Sequence, residues 1–199
     1  MTARTSPAGL LVLHAVRLKG FARTDAVAAR FGLDAAQTHE ELLDAEAYGR
    51  VTRASFAGLT GWSLTEAGRR RNEAELREEL DAHDARDAVA AMHDDFLPLN
   101  SQATRTFTAW QLESMDSPAK AVPGDLIGQL AGLAQRLHPL ERRLTERLTR
   151  FGGYHRRFAE ALAHASDDPA WVTGMEVDSC HRVWFELHED LVASLGISR

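Results

Sequence analysis

A chain of 199 residues, 44% hydrophobic and 26% charged, can fill one large core or two small ones and is too apolar to stay disordered. No run approaches the roughly 18 apolar residues of a membrane span, residues 1–9 lack the charged-then-apolar pattern of a signal peptide, and the single Cys180 excludes a disulfide framework or a four-cysteine zinc site. The expected location is therefore the cytoplasm, with no membrane partner. The net charge of −6 argues against a general nucleic-acid coat, but residues 1–72 hold 10 basic and 7 acidic side chains while residues 73–199 hold 13 and 22. A basic first third on an acidic remainder can orient one face towards phosphates.

Residues 7–19 read as a helix, with Leu10, Leu11, Leu13, Val16 and Leu18 apolar and Gly20 as its stop. Thr24 is the expected N-cap of a short helix over residues 25–31 that turns Ala26, Val27 and Ala29 inward. A tight turn at Gly32-Leu33 leads to Asp34, the expected N-cap of a third helix over residues 35–48. Leu42, Leu43 and Ala47 recur there at helical spacing, and Gly49 ends the helix. The period then shortens. Val51–Phe56 is β-prone, Gly58 and Gly61 frame a turn, and residues 62–64 form a second strand. Thr65 would cap the next helix.

Two segments carry a family likeness. Leu64-Thr65-Glu66-Ala67-Gly68-Arg69 closes the hairpin and Phe31-Gly32-Leu33 joins the second and third helices. Both resemble winged helix-turn-helix transcription regulators of the MarR and PadR types, over about residues 8–72. Further helices placed after this module, rather than before it, make the likeness closer to PadR. The resemblance implies a mainly α fold: a winged-helix DNA-binding domain over residues 1–72, then an all-helical dimerisation and effector domain over residues 73–199. It also implies double-stranded DNA as partner and a homodimer that matches two half-sites. The third helix would enter the major groove with Gln37, Thr38 and His39 nearest the base edges. Gln37 suits adenine, and Thr38 suits either a base or a phosphate. Lys19, Arg23, Arg50 and Arg53 would flank it on phosphates or in the minor groove. Glu40, Glu41, Asp44 and Glu46 on the same helix oppose phosphate and are expected to face away.

The remainder reads as helical. Residues 66–97 form one helix or two, and Ser101 is the expected N-cap of a helix carrying Phe107 and Trp110. Residues 114–124 form a loop. Leu126, Leu130, Leu133, Leu137, Leu140, Leu144 and Leu148 then keep a three-four spacing, which suits either a dimer seam or the core of a bundle. Pro139 predicts a kink or break within it. Helices follow over residues 154–165 and 178–195, separated by Asp167-Asp168-Pro169.

In the last helix Cys180, Trp184, Leu187 and Leu191 centre the apolar face, whereas Arg182, Glu186 and Glu189 are expected in water. His181 and His188 are seven positions apart, about 10 Å of helix rise, too far to chelate one ion. A metal would need His93, His138, His155 or His164 as well, so no metal is expected. Trp110, His181 and Trp184 together predict a pocket for a small aromatic or acidic effector. Cys180 is expected to be a buried, inert thiol. The sequence shows no Gly-rich phosphate loop, nucleophile elbow or two-histidine zinc motif. No catalytic residue or cofactor is expected, and the chain reads as a regulator rather than an enzyme. Two alternatives stay open: a winged helix that docks on protein without DNA, and a small-molecule-binding or enzymatic helical domain centred on residues 178–190.

Overall fold

A computed structural model describes residues 4–56, 58–116 and 122–197. These residues are mainly helical with one two-stranded antiparallel sheet. Among them no strand follows Leu64, and no helix is long and apolar enough to cross a membrane. The chain divides into two compact units, Arg4–Arg86 with the chain from Val192 onward, and Asp87–Leu191.

The first unit contains α1 (Ala8–Lys19), α2 (Thr24–Phe31), α3 (Ala35–Ala47), β1 (Val51–Phe56), β2 (Leu59–Leu64) and α4 (Glu66–Ala82). Its turns are set by local chemistry. Gly32 adopts a left-handed φ of 65° that closes α2, and Leu33 N–H returns to the Ala28 carbonyl at 3.0 Å. The Asp34 carboxylate then accepts from Gln37 N–H at 2.9 Å and starts α3. Thr24 departs from its expected role. It lies inside α2, which has no side-chain cap, and its hydroxyl accepts from the Trp62 indole N–H at 3.0 Å.

β1 and β2 pair with Val51 opposite Leu64 and Arg53 opposite Trp62. Ala22, between α1 and α2, adds an isolated bridge to the other edge of β2. Ala22 N–H donates to the Trp62 carbonyl at 3.1 Å and Trp62 N–H to the Ala22 carbonyl at 2.8 Å. Val12, Val16, Val27, Leu42, Val51 and Trp62 form the buried core between these elements. Burial of that apolar surface is what holds the short helices together.

The start of α4 is pinned to the end of α3. The Thr65 hydroxyl accepts from Gly68 N–H at 3.0 Å and donates to the Gly49 carbonyl at 2.6 Å. Gly68 lies so close to β1 that an added Cβ would stand 1.8 Å from the Arg50 carbonyl oxygen. This unit extends beyond the expected limit at residue 72, because Leu76 packs with Leu10 in a second small cluster.

The second unit holds α5 (Arg86–Asp116, its first residue shared with the first unit), α6 (Gly124–Thr145), a 3-10 turn at Thr149–Phe151, α7 (Tyr154–Ala165), α8 (Ala170–Thr173) and most of α9 (Cys180–Leu195). Ser101 is not an N-cap. It sits inside α5 and donates to the Leu97 carbonyl at 3.1 Å. The expected loop begins later than residue 114, because α5 runs to Asp116; residues 117–121 lie outside the described residues. α6 continues through Pro139 without the expected break. Pro139 is exposed while Leu137 and Leu140 on either side are buried, so packing of the apolar face outweighs one missing hydrogen bond. The leucine seam from Leu126 to Leu148 is buried within a single chain. It is core, and it leaves no free stripe for a second copy. Glu141 of α6 caps α7 by accepting from Gly153 N–H at 3.0 Å and His155 N–H at 2.5 Å.

A Gly→Ala change inside a helix ordinarily stabilises by about 0.5–1 kcal/mol. Gly68→Ala should instead destabilise the chain by about 1–3 kcal/mol, because backbone must yield to the new methyl group. Urea denaturation of the variant checks this, and unchanged or raised stability would show that α4 does not press on β1.

Candidate functional site

Two surfaces, one in each unit, gather the residues singled out by the sequence. On the first unit, Gln37 is exposed in the first turn of α3, and Arg23 and Arg53 are exposed nearby in sequence and along β1. Arg23 pairs with Asp25 at 3.1 Å. Arg53 lies over the buried Trp62 ring, 5.5 Å from its centroid, and Arg50 lies 4.8 Å from the Tyr48 ring centroid. Lys19 is half-buried in the last turn of α1. His39 is half-buried with its ring edge-on to Trp62, 6.3 Å between centroids.

Thr38 does not reach the surface. It is 1% exposed, and its hydroxyl donates to the Asp34 carbonyl at 2.7 Å, so its place is in the helix–turn contact. The acidic residues of α3 also differ from expectation. Glu40, Asp44 and Glu46 are exposed, and helical spacing puts Glu40 and Asp44 on one face with Gln37. Only Glu41 is half-buried among them, with its carboxylate beside Gly9 of α1. Arg69, Arg70 and Arg71, none of them an expected DNA contact, are all exposed in the first turns of α4. Arg70 pairs with Glu66 at 3.1 Å and Arg71 with Glu75 at 2.6 Å.

The second surface is a cleft of about 200 Å³ between α5 and α9. α5 contributes Asn100, Thr104, Phe107, Thr108 and Gln111, a stripe at helical spacing. α9 contributes His181, Trp184, Phe185 and His188. His181 meets Phe107 edge-on at 5.1 Å between centroids. Trp184 stacks on Phe96 at 5.2 Å and donates its indole N–H to the Asn100 side-chain oxygen at 3.0 Å. The cleft thus unites His181 and Trp184 but not Trp110, which is buried in α5 and does not line it. Burial lowers the His181 pKa from its ordinary value, so its imidazole is neutral near neutral pH.

α9 is buried on more sides than its sequence suggests. Glu186 and Glu189, expected in water, are 2% and 6% exposed. Glu186 accepts from Arg157 of α7 at 2.6 Å, and Arg157 Nε also donates to Asp178 at 3.0 Å. Burial alone would lower the Arg157 pKa, but the hydrogen bond and charge of Glu186, joined by Asp178, raise it overall. One turn further on, Asp190 accepts from Arg150 at 2.5 Å and from the Tyr154 hydroxyl at 2.8 Å. Arg150 and Asp190 side chains have no exposed surface. Cys180 is buried, and burial pushes its thiol up to about 12, so little nucleophilic thiolate forms.

His138 and His155 rings stand 4.6 Å apart, but the adjacent Glu141 carboxylate is engaged with the α7 backbone. Among the described residues no three His, Cys, Asp or Glu side chains converge as metal ligands do. No protein-family model, curated protein or solved structure matches the chain.

Removing one member of a buried ion pair leaves the other charge uncompensated, at about 3–5 kcal/mol. Asp190→Ala should lose that much stability in chemical denaturation. A loss below about 1 kcal/mol, the range of an exposed pair, would show that Arg150 finds water or another partner and that the pair does not hold α9.

Proposed function

We propose that this chain is a DNA-binding transcriptional regulator whose first unit is a winged helix and whose second unit senses a small molecule. The observation that carries the reading is the pairing of Ala22 with Trp62. It sets a single bridging residue between α1 and α2 against the β1–β2 hairpin, which suits the helix, helix, helix, hairpin order expected of a winged helix. α3 is then the groove-entering helix and the hairpin is the wing.

In this reading Arg53 on the wing, with Lys19, Arg23, Arg50 and the added Arg69, contacts phosphates or the minor groove. Gln37 reads a base edge. Glu40 and Asp44, exposed on the α3 face, weaken binding to phosphate in general. A carboxylate there has one productive contact, accepting from a cytosine amino group. Low general affinity with a few base contacts suits a regulator that must reject most sequences. The reading places the protein in the cytoplasm and, to match two half-sites, as a homodimer; the leucine seam is not its interface.

A salt titration on random and selected duplexes tests this. Arg53→Ala should weaken binding to every duplex and reduce the salt slope by about one. Glu40→Gln should tighten binding to random DNA. Gln37→Ala should cost about 1–3 kcal/mol on the selected site and little elsewhere. If the wild-type chain binds no duplex at low salt, the DNA reading falls. The protein-docking reading then replaces it, and it already has a supporting observation: Leu43 and Tyr48 are exposed (38% and 72%) beside Asp44 and Glu46.

A further inference from the structure

Among the described residues the lining of the α5–α9 cleft contains no Lys, Arg, Asp or Glu. Those side chains favour an uncharged ligand. Among the described lining residues an anion drawn out of water would meet no cation, and a cation no carboxylate. The acidic effector expected from the sequence therefore loses its support. A purely apolar ligand is also disfavoured, because it would strip water from the amides of Asn100 and Gln111 and the hydroxyls of Thr104 and Thr108 without replacing its hydrogen bonds.

What remains is chemistry with ring faces and a neutral, hydrogen-bonding edge. The aromatic side chains supply apolar wall, with Trp184 and Phe107 each only 4% exposed. Trp184 is held in place by Phe96, by Phe158 at 5.7 Å between centroids, and by the Asn100 hydrogen bond, so it is a fixed wall. The amides and hydroxyls of α5 supply donors and acceptors, and a neutral imidazole at His181 offers one of each. The volume of about 200 Å³ lies below the roughly 300–1,000 Å³ of sites for drug-sized ligands, so it suits one or two fused rings without a bulky substituent.

We propose that the cleft between α5 and α9 binds a small, uncharged, planar heteroaromatic molecule of the nucleobase type, packed against the apolar wall and read along its edge by Gln111, Thr108 and His181. This rests on the reading of the second unit as a sensor and narrows it to one ligand class.

The test is calorimetric titration of the full chain, without DNA, with adenine, uracil, benzoate and toluene. Adenine or uracil should bind saturably and more tightly than the other two. Gln111→Leu and Thr108→Val, both at exposed positions where folding is not at stake, should each weaken that binding about tenfold, the worth of one well-made hydrogen bond. Tighter binding of benzoate or of toluene overturns the proposal in favour of an acidic or an apolar ligand. Base binding untouched by both substitutions overturns it by placing the ligand elsewhere, and no binding of any probe at millimolar concentration overturns it outright. DNA affinity is measured separately. A silent cleft in a chain that binds DNA defeats this proposal alone, and base binding by a chain without DNA affinity defeats only the regulator reading.

Discussion

The second unit depends on one constraint: the Arg150 and Asp190 charges are withdrawn from water and must satisfy each other. An ion pair this deep adds little net stability over a well-packed apolar pair. What it does is forbid alternatives, since any rotation or slip of α9 would leave a bare charge in the core. Glu186 with Arg157, one turn before, repeats the constraint on the same face. At 100° per residue, Glu186 and Asp190 point to one side of α9, and His181, Trp184 and His188 to the opposite side. Fixing one face by charge therefore fixes the other, which is the face that lines the cleft with α5.

This also explains which parts of the fold could be read from sequence. The turns of the first unit are local events. Gly32 supplies a left-handed residue and Asp34 a cap within three residues of the N–H it serves, so the ends of α2, α3 and β1 were legible to within about a residue. Ser101, Thr24 and Pro139 misled because each has a local preference that tertiary packing overrides. Thr24 is claimed by Trp62, 38 positions away, and no window of neighbours carries that information.

The candidate site was legible by halves for the same reason. His181 and Trp184 stand out on an aromatic-rich helix. Their partners on α5 are Asn, Thr and Gln, which in isolation read as a solvated face. Glu186 and Glu189 read as solvated too, and for Glu186 only the position of Arg157 shows that an acid belongs inside. Trp110 stands out in composition but has its place in the core. On the first unit, Thr38 looked like a base-reading side chain because it follows the helix start, yet the same position lets its hydroxyl return to Asp34.

The first unit poses the sharper electrostatic question. Its arginines on the β1–β2 hairpin and α4 favour phosphate, while Glu40 and Asp44 on the exposed face of α3 oppose it. On the proposed reading a unit with this balance is a selective DNA binder, and on the alternative reading a protein-docking module. Selection of genomic fragments by the full chain, followed by sequencing of what is retained, separates the two most directly. The DNA-binding account predicts that the retained fragments share a short sequence element enriched over the input. Retained fragments no more alike than the input would contradict it.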